Sequence, residues 1–105
     1  MNTTLLTAYC ACSICCGPTA PRLTAAGTVP VEGRTIAAPK WIPLFTKVEV
    51  TVPGRWTNRV FIVEDRTRSQ RGWDVYLRSH EMAEKFGKRK MIWKKLTSPS
   101  SATKK

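Results

Sequence analysis

Residues 45–54 read Phe45-Thr46-Lys47-Val48-Glu49-Val50-Thr51-Val52-Pro53-Gly54. Large apolar and polar side chains alternate up to Val52, the period-two pattern of a strand with one wet face. Pro53-Gly54 ends it with turn chemistry. A second strand follows at once, Arg59-Val60-Phe61-Ile62-Val63-Glu64-Asp65, apolar at successive positions and closed by two acids. That run predicts a strand buried on both faces. Short strand signals of this kind dominate the chain and set the fold class as all-β.

Working outward, Trp73-Asp74-Val75-Tyr76-Leu77 alternates again. Trp73, Val75 and Leu77 share one face, and Asp74 and Tyr76 the other. One helix fits between this strand and a last short one, Lys90-Met91-Ile92-Trp93. Ser79 is its N-cap, Glu81 lies in the first turn where the helix dipole favours an acid, and Gly87 stops it. Met82, Ala83 and Phe86 give it a narrow apolar stripe. Upstream, residues 4–9 are β-prone, and Arg34-Thr35-Ile36-Ala37-Ala38 is a short apolar run stopped by Pro39. Five or six short strands and one short helix predict a small closed β-barrel, which also removes exposed strand edges. The barrel domain is expected over residues 1–96. Residues 97–105 are basic and Ser/Thr-rich with Pro99 among them, and are expected to form a disordered tail.

The 105 residues make one domain the default. With 42% hydrophobic and 24% charged residues the chain has the composition of a folded domain, not of a disordered one. Lys and Arg total 18 against 7 Asp and Glu, a net charge of +11. That excess favours a polyanionic partner: nucleic acid, anionic lipid or anionic cell-wall polymer. No apolar run approaches the roughly 20 residues of a membrane-spanning helix, so no membrane span is expected. The first residues have neither a basic n-region nor a long apolar h-region, so no secretory signal is visible. A single histidine, His80, excludes a His-rich metal site within one chain.

Cys10, Cys12, Cys15 and Cys16 lie within seven residues, spaced C-x-C-x-x-C-C. Three readings stay open: a disulfide stapling the loop after the first strand, a zinc site, or reduced thiols. Adjacent cysteines rarely both point at one ion, which weighs against zinc. Otherwise no cofactor is expected. The basic side chains, with Trp41, Trp56, Trp73 and Trp93, are also compatible with nucleic acid. No recognised nucleic-acid motif accompanies them, and tryptophans are commonly core residues, so nucleic acid is the weaker reading.

Several segments, in one order, resemble a known family. They are Thr7-Ala8-Tyr9-Cys10 continuing to Cys15-Cys16-Gly17, Leu23-Thr24-Ala25-Ala26-Gly27, and Thr35-Ile36-Ala37-Ala38-Pro39 leading into Ile42-Pro43-Leu44-Phe45-Thr46-Lys47-Val48. Val63-Glu64-Asp65-Arg66, Trp73-Asp74-Val75-Tyr76-Leu77 and Ser79-His80-Glu81, with Ala83 and Phe86-Gly87, complete the set. Together they resemble the three-aspartate (3D) domain of the double-psi β-barrel superfamily. That domain is related to the catalytic domain of membrane-bound lytic transglycosylase A and, more distantly, to rare lipoprotein A. The resemblance runs from about Thr4 to Trp93. Three departures stand out: Pro39 follows Ala38 where the family has its first aspartate, an arginine-rich loop (Arg66, Arg68, Arg71) replaces a glycine-rich one, and Phe45 stands where a turn glycine is common.

The resemblance implies a six-stranded double-psi barrel acting on peptidoglycan, as a lytic transglycosylase-like muralytic enzyme that cuts the glycan strand. Asp74 is then the candidate general acid and Asp65 its neighbour, if the two strands that carry them pair. Tyr9, Thr24 and Tyr76 are candidates to line the groove, and Arg66 and Arg68 to hold an anionic wall polymer. The plainer reading makes Asp65 an acceptor for loop N–H groups and Asp74 an ion-pair partner. His80, in the first helical turn, is expected to face solvent or cap. The expected partner is the peptidoglycan glycan strand, bound by a monomer. The expected location is the cell envelope, or release at lysis as from a phage. A non-catalytic wall-binding module on the same barrel is the alternative.

Overall fold

The computed structural model describes residues 2–10, 23–67 and 72–96. The tail at 97–105, the loop positions Arg68 and Arg71, and Cys12, Cys15 and Cys16 lie outside the described residues.

Six strands and one helix follow in order: β1 (Asn2–Tyr9), β2 (Thr35–Ala38), β3 (Lys47–Val52), β4 (Trp56–Arg66), β5 (Trp73–Tyr76), α1 (His80–Phe86) and β6 (Arg89–Lys95). They close into a barrel with the order β1-β5-β2-β4-β3-β6. The sheet is mixed: β1 runs parallel to β5 and β2 parallel to β4, while the other four pairings are antiparallel. Closure leaves no strand edge to be covered. Among the described residues no helix is long and apolar enough to cross a membrane.

Alternation along the strands fills the barrel. Leu6, Ile36, Val48, Val50, Phe61, Val63, Trp73, Val75 and Met91 are buried and form one cluster with Trp93. Trp73 and Trp93 meet at 4.6 Å between ring centroids, so two of the four tryptophans are core residues. Trp56 packs on Phe61 and Phe86. Trp41 is 61% exposed.

β3 forms within the stretch whose alternation predicts it and pairs antiparallel with β4, but β4 is longer and wetter than expected. It starts at Trp56, a register shift falls between Val50 and Val52, and Val60 is 46% exposed. Consecutive apolar residues there serve an alternating strand, not one buried on both faces.

α1 is capped as its sequence requires. Ser79 Oγ accepts from the Met82 N–H at 3.3 Å, and Gly87 ends the helix at φ 66°, a backbone angle that favours glycine. Its buried face is Ala83 and Phe86, while Met82 is 47% exposed. The apolar stripe is therefore the three-residue spacing, and Met82 falls outside it.

Residues 39–46 carry the chain from β2 to β3. This loop is held by main-chain bonds from Ile42 N–H to Pro39 O (3.0 Å) and from Phe45 N–H to Val63 O (2.6 Å). Arg66 adds two more, its Nη1 donating to the carbonyls of Pro39 (3.1 Å) and Ile42. Phe45 has φ 71°, a left-handed conformation that costs a residue with a Cβ roughly 1–2 kcal/mol.

Candidate functional site

Asp65 and Asp74 do not sit on neighbouring strands. β4 and β5 do not pair; β2 lies between them in the barrel. The two acids are nonetheless level with each other, because Ala37 of β2 is registered with Asp65 on one side and Asp74 on the other. Two strand spacings separate their Cα atoms, roughly 9–10 Å. Thr7 of β1 extends the row, registered with Asp74 through the parallel pairing. Residues paired in this way project from the same face of a sheet, so Thr7, Asp74, Ala37 and Asp65 form one row across four strands. Ala37, between the acids, is buried.

The acids have different partners. Asp65 Oδ2 accepts from the Tyr9 hydroxyl at 3.0 Å, and Oδ1 accepts from the N–H groups of Ala25 (3.0 Å) and Arg66 (2.9 Å). Asp74 Oδ1 accepts from the Thr7 hydroxyl. Its second oxygen has no hydrogen-bond partner among the described residues. Neither acid forms an ion pair with an arginine among the described residues. Both side chains are partly exposed.

Tyr9 and Tyr76 are paired across β1 and β5 and meet edge-on, with centroids 5.6 Å apart. Tyr76 also lines a shallow cleft with Glu32, Arg55, Trp56 and Arg59. Thr24 has its hydroxyl inside a tight turn. Its Oγ1 lies 2.7 Å from Thr28 Oγ1 and accepts from the Thr28 N–H at 3.1 Å. The turn in which Thr24 sits presents the Ala25 N–H to Asp65. Arg66 points its guanidinium at the carbonyls of the 39–46 loop rather than at the row of acids.

Four residues escaped the sequence reading. Thr7 and Ala37 belong to the site only through strand pairings between distant segments. Glu64 was read as the end of a strand, yet it is 4% exposed and gathers donors from the whole 28–35 segment. Its Oε1 accepts from the hydroxyls of Thr35 (2.7 Å) and Thr28 (3.2 Å) and from Arg34 Nη2 (3.1 Å), and Arg34 Nε lies 3.0 Å from Oε2. An acid directly following an apolar run was the available signal, since a buried charge needs a partner. His80 does not simply face solvent: its Nδ1 lies 3.5 Å from the sulfur of the buried Cys10, and its Nε2 lies 3.7 Å from Glu84 Oε2. Among the described residues no three His, Cys, Asp or Glu side chains gather to hold a metal.

No protein-family model matches the chain, and no curated protein matches it. Solved structures do. The crystal structure of MltA from E. coli matches with a TM-score of 0.52 at 18% identity, over 75% of this chain and 29% of that one. The chain thus spans less than a third of that protein's length, and at this identity the likeness is one of fold.

Proposed function

We propose that the protein acts on bacterial peptidoglycan and cuts its glycan strand as a lytic transglycosylase does, with Asp74 as general acid and base. One observation carries the reading. Asp74 lies on a partly exposed face, level with a second acid, with one carboxyl oxygen unengaged by any described residue. The barrel fold shared with MltA and the order of the sequence segments support the same substrate.

In this reaction Asp74 gives its proton to the glycosidic oxygen as the C1–O bond breaks. The C6 hydroxyl of the same muramyl residue then bonds to C1, and its proton returns to Asp74. The product is a 1,6-anhydro end, no water is consumed, and one carboxyl serves both steps. Thr7 orients that carboxyl, and its hydroxyl can turn to suit either protonation state. Asp65 receives three donors and acts as an acceptor, bonding a sugar hydroxyl or stabilising positive charge at C1. Tyr9 and Tyr76 offer edges and hydroxyls to sugar rings. Thr24 and Arg66 act by holding the 24–28 turn and the 39–46 loop in place. The protein works as a monomer at the cell envelope, or on release at lysis.

Incubation with purified sacculi and mass spectrometry of the soluble products tests this. The expected outcome is 1,6-anhydro-muropeptides from the wild type and none from Asp74→Asn. A second reading, a non-catalytic wall-binding module, is favoured by Pro39, which occupies the place of the family's first acid. It predicts sacculus pull-down without any anhydro product from either protein.

A further inference from the structure

We propose that the 39–46 loop is a saccharide-binding element and that Trp41 and Phe45 are its sugar-stacking side chains. The loop carries two kinds of apolar residue. Ile42 is 4% exposed and belongs to the core, and Leu44 packs against that core. These two anchor the loop. Trp41 and Phe45, each next to an anchor in sequence, are 61% and 48% exposed. The exposed part of a large ring gives folding nothing, since apolar surface stabilises only when it leaves water. Phe45 is kept at an added cost, because it holds φ 71°, where a Cβ is disfavoured. Strained residues of this kind gather at ligand sites.

The loop is fixed before any ligand arrives. The Ile42 N–H bonds to Pro39 O at 3.0 Å and the Thr46 hydroxyl to Pro43 O at 2.7 Å, closing two successive turns. Trp41 leans on the buried Trp93, with ring centroids 6.5 Å apart. A ring held in this way loses little freedom when a ligand covers it. Arg66 sets the loop beside the acids. Its N–H donates to Asp65 Oδ1 at 2.9 Å, and its guanidinium donates to the Pro39 and Ile42 carbonyls that flank Lys40-Trp41. Trp41 follows Ala37 of the acid row by four residues, which span at most about 14 Å. A sugar satisfies both neighbours: its C–H face suits the rings and its hydroxyls suit the carboxylates. An apolar peptide or lipid brings no donors for the acids. The assignment of the occupant rests on the glycan reading of the groove.

Isothermal titration calorimetry of the whole chain with the β-1,4-linked N-acetylglucosamine hexamer tests this. The probe is uncharged, and it has no muramyl residue from which an anhydro end could form. The titration is run in about 1 M salt, where charge is screened beyond about 3 Å. Trp41→Ala is expected to weaken binding at least about 10-fold, and Phe45→Gly, which suits the backbone, about 3-fold. Trp41→Phe stays within about 3-fold of the wild type, whereas Trp41→Leu, apolar but without a ring, falls as far as alanine. Wild-type affinity in Trp41→Ala or in Trp41→Leu overturns the proposal, the latter by marking a general apolar surface. So does failure of the wild type to bind the hexamer. Sacculus digestion is read separately. A wild type that binds the hexamer through Trp41 but releases no anhydro-muropeptide keeps the loop's role and removes the cutting. A wild type that cuts sacculi while Trp41→Ala binds the hexamer unchanged removes the loop's role and keeps the cutting.

Discussion

The two edges of β2 each present one acid, and they treat it differently. On the β4 edge Asp65 is supplied with donors by three separate segments: Tyr9, the 24–28 turn and its own next residue. On the β5 edge Asp74 has one donor, a threonine hydroxyl. Both are aspartates at strand positions registered with the same alanine, so the contrast comes from the loops that reach them. A carboxylate ringed by fixed N–H donors is an acceptor. One with an oxygen that no described residue engages can exchange a proton with a ligand.

The largest effect expected from that contrast is on turnover. General acid catalysis contributes about 10²–10⁴-fold, so Asp74→Asn is expected to cut release of anhydro-muropeptides at least about 100-fold while sacculus binding persists. Asp65→Asn keeps an acceptor oxygen for its neighbours and is expected to cost about 10-fold, the size of one weakened charge-assisted hydrogen bond. Equal losses in the two variants, read by mass spectrometry of sacculus digests, would dissolve the distinction between the edges.

Glu64 tests what keeps the β4 edge supplied. Its carboxylate ties Thr28, Thr35 and Arg34 together, and its main-chain oxygen accepts from the Ala26 N–H at 2.9 Å. Both contacts fasten the turn that brings Ala25 to Asp65. Glu64→Gln replaces a charged acceptor with a neutral one beside Arg34. The expected loss is about 2 kcal/mol, since hydrogen bonds to charged groups are worth roughly 1.5–3 kcal/mol and Arg34 stays partly solvated. Urea unfolding followed by tryptophan fluorescence reads it. A change below about 0.5 kcal/mol would mean that the turn is held by its own Thr24–Thr28 bonds and the main-chain bond to Glu64, without help from the carboxylate.

Tyr9→Phe is smaller again. It removes one of the three donors to Asp65 and leaves the ring against Tyr76. About 1 kcal/mol of stability is at stake, the net worth of one partly buried hydrogen bond. The same unfolding assay measures it, and an unchanged midpoint would show that the hydroxyl is better served by water.

The strands were legible in the sequence because their signals are local. Alternation in 45–52 and 73–77, punctuation at Pro39 and Pro53-Gly54, and the Ser79 and Gly87 caps each act over a few residues, and each element forms close to where they predict, although Phe45 and Thr46 belong to the loop before β3. The site was half legible. Asp65, Asp74 and Tyr9 were nominated from residue type and order, but their arrangement depends on which strands pair. Nothing local tells that β2 inserts between β4 and β5, or that Thr7 meets Asp74 across 67 positions. The resemblance led to the barrel and its acids. It did not predict the Glu64 cluster or the turn of His80 toward Cys10, because those depend on side-chain packing between segments far apart in the chain.

The smallest expected effect concerns the loop that Arg66 fastens to the β4 edge. Phe45 occupies a left-handed backbone position, φ 71°, with 48% of its surface exposed. Glycine takes that conformation without the roughly 1–2 kcal/mol penalty of a Cβ, but loses roughly 0.5–1 kcal/mol more backbone entropy on folding. Phe45→Gly therefore recovers about 0.5 kcal/mol from the backbone, but it also gives up the packed half of the ring, and is expected to lose about 0.5 kcal/mol in all. Phe45→Ala keeps the strain while giving up the packed half of the ring, and is expected to lose about 1 kcal/mol. Phe45→Gly must be the more stable of the two, by about 0.5 kcal/mol, if backbone strain matters at this position. If both variants lose stability by similar amounts in urea unfolding, the ring's contacts outweigh the strain, and the loop is held as much by the aromatic side chain as by Arg66.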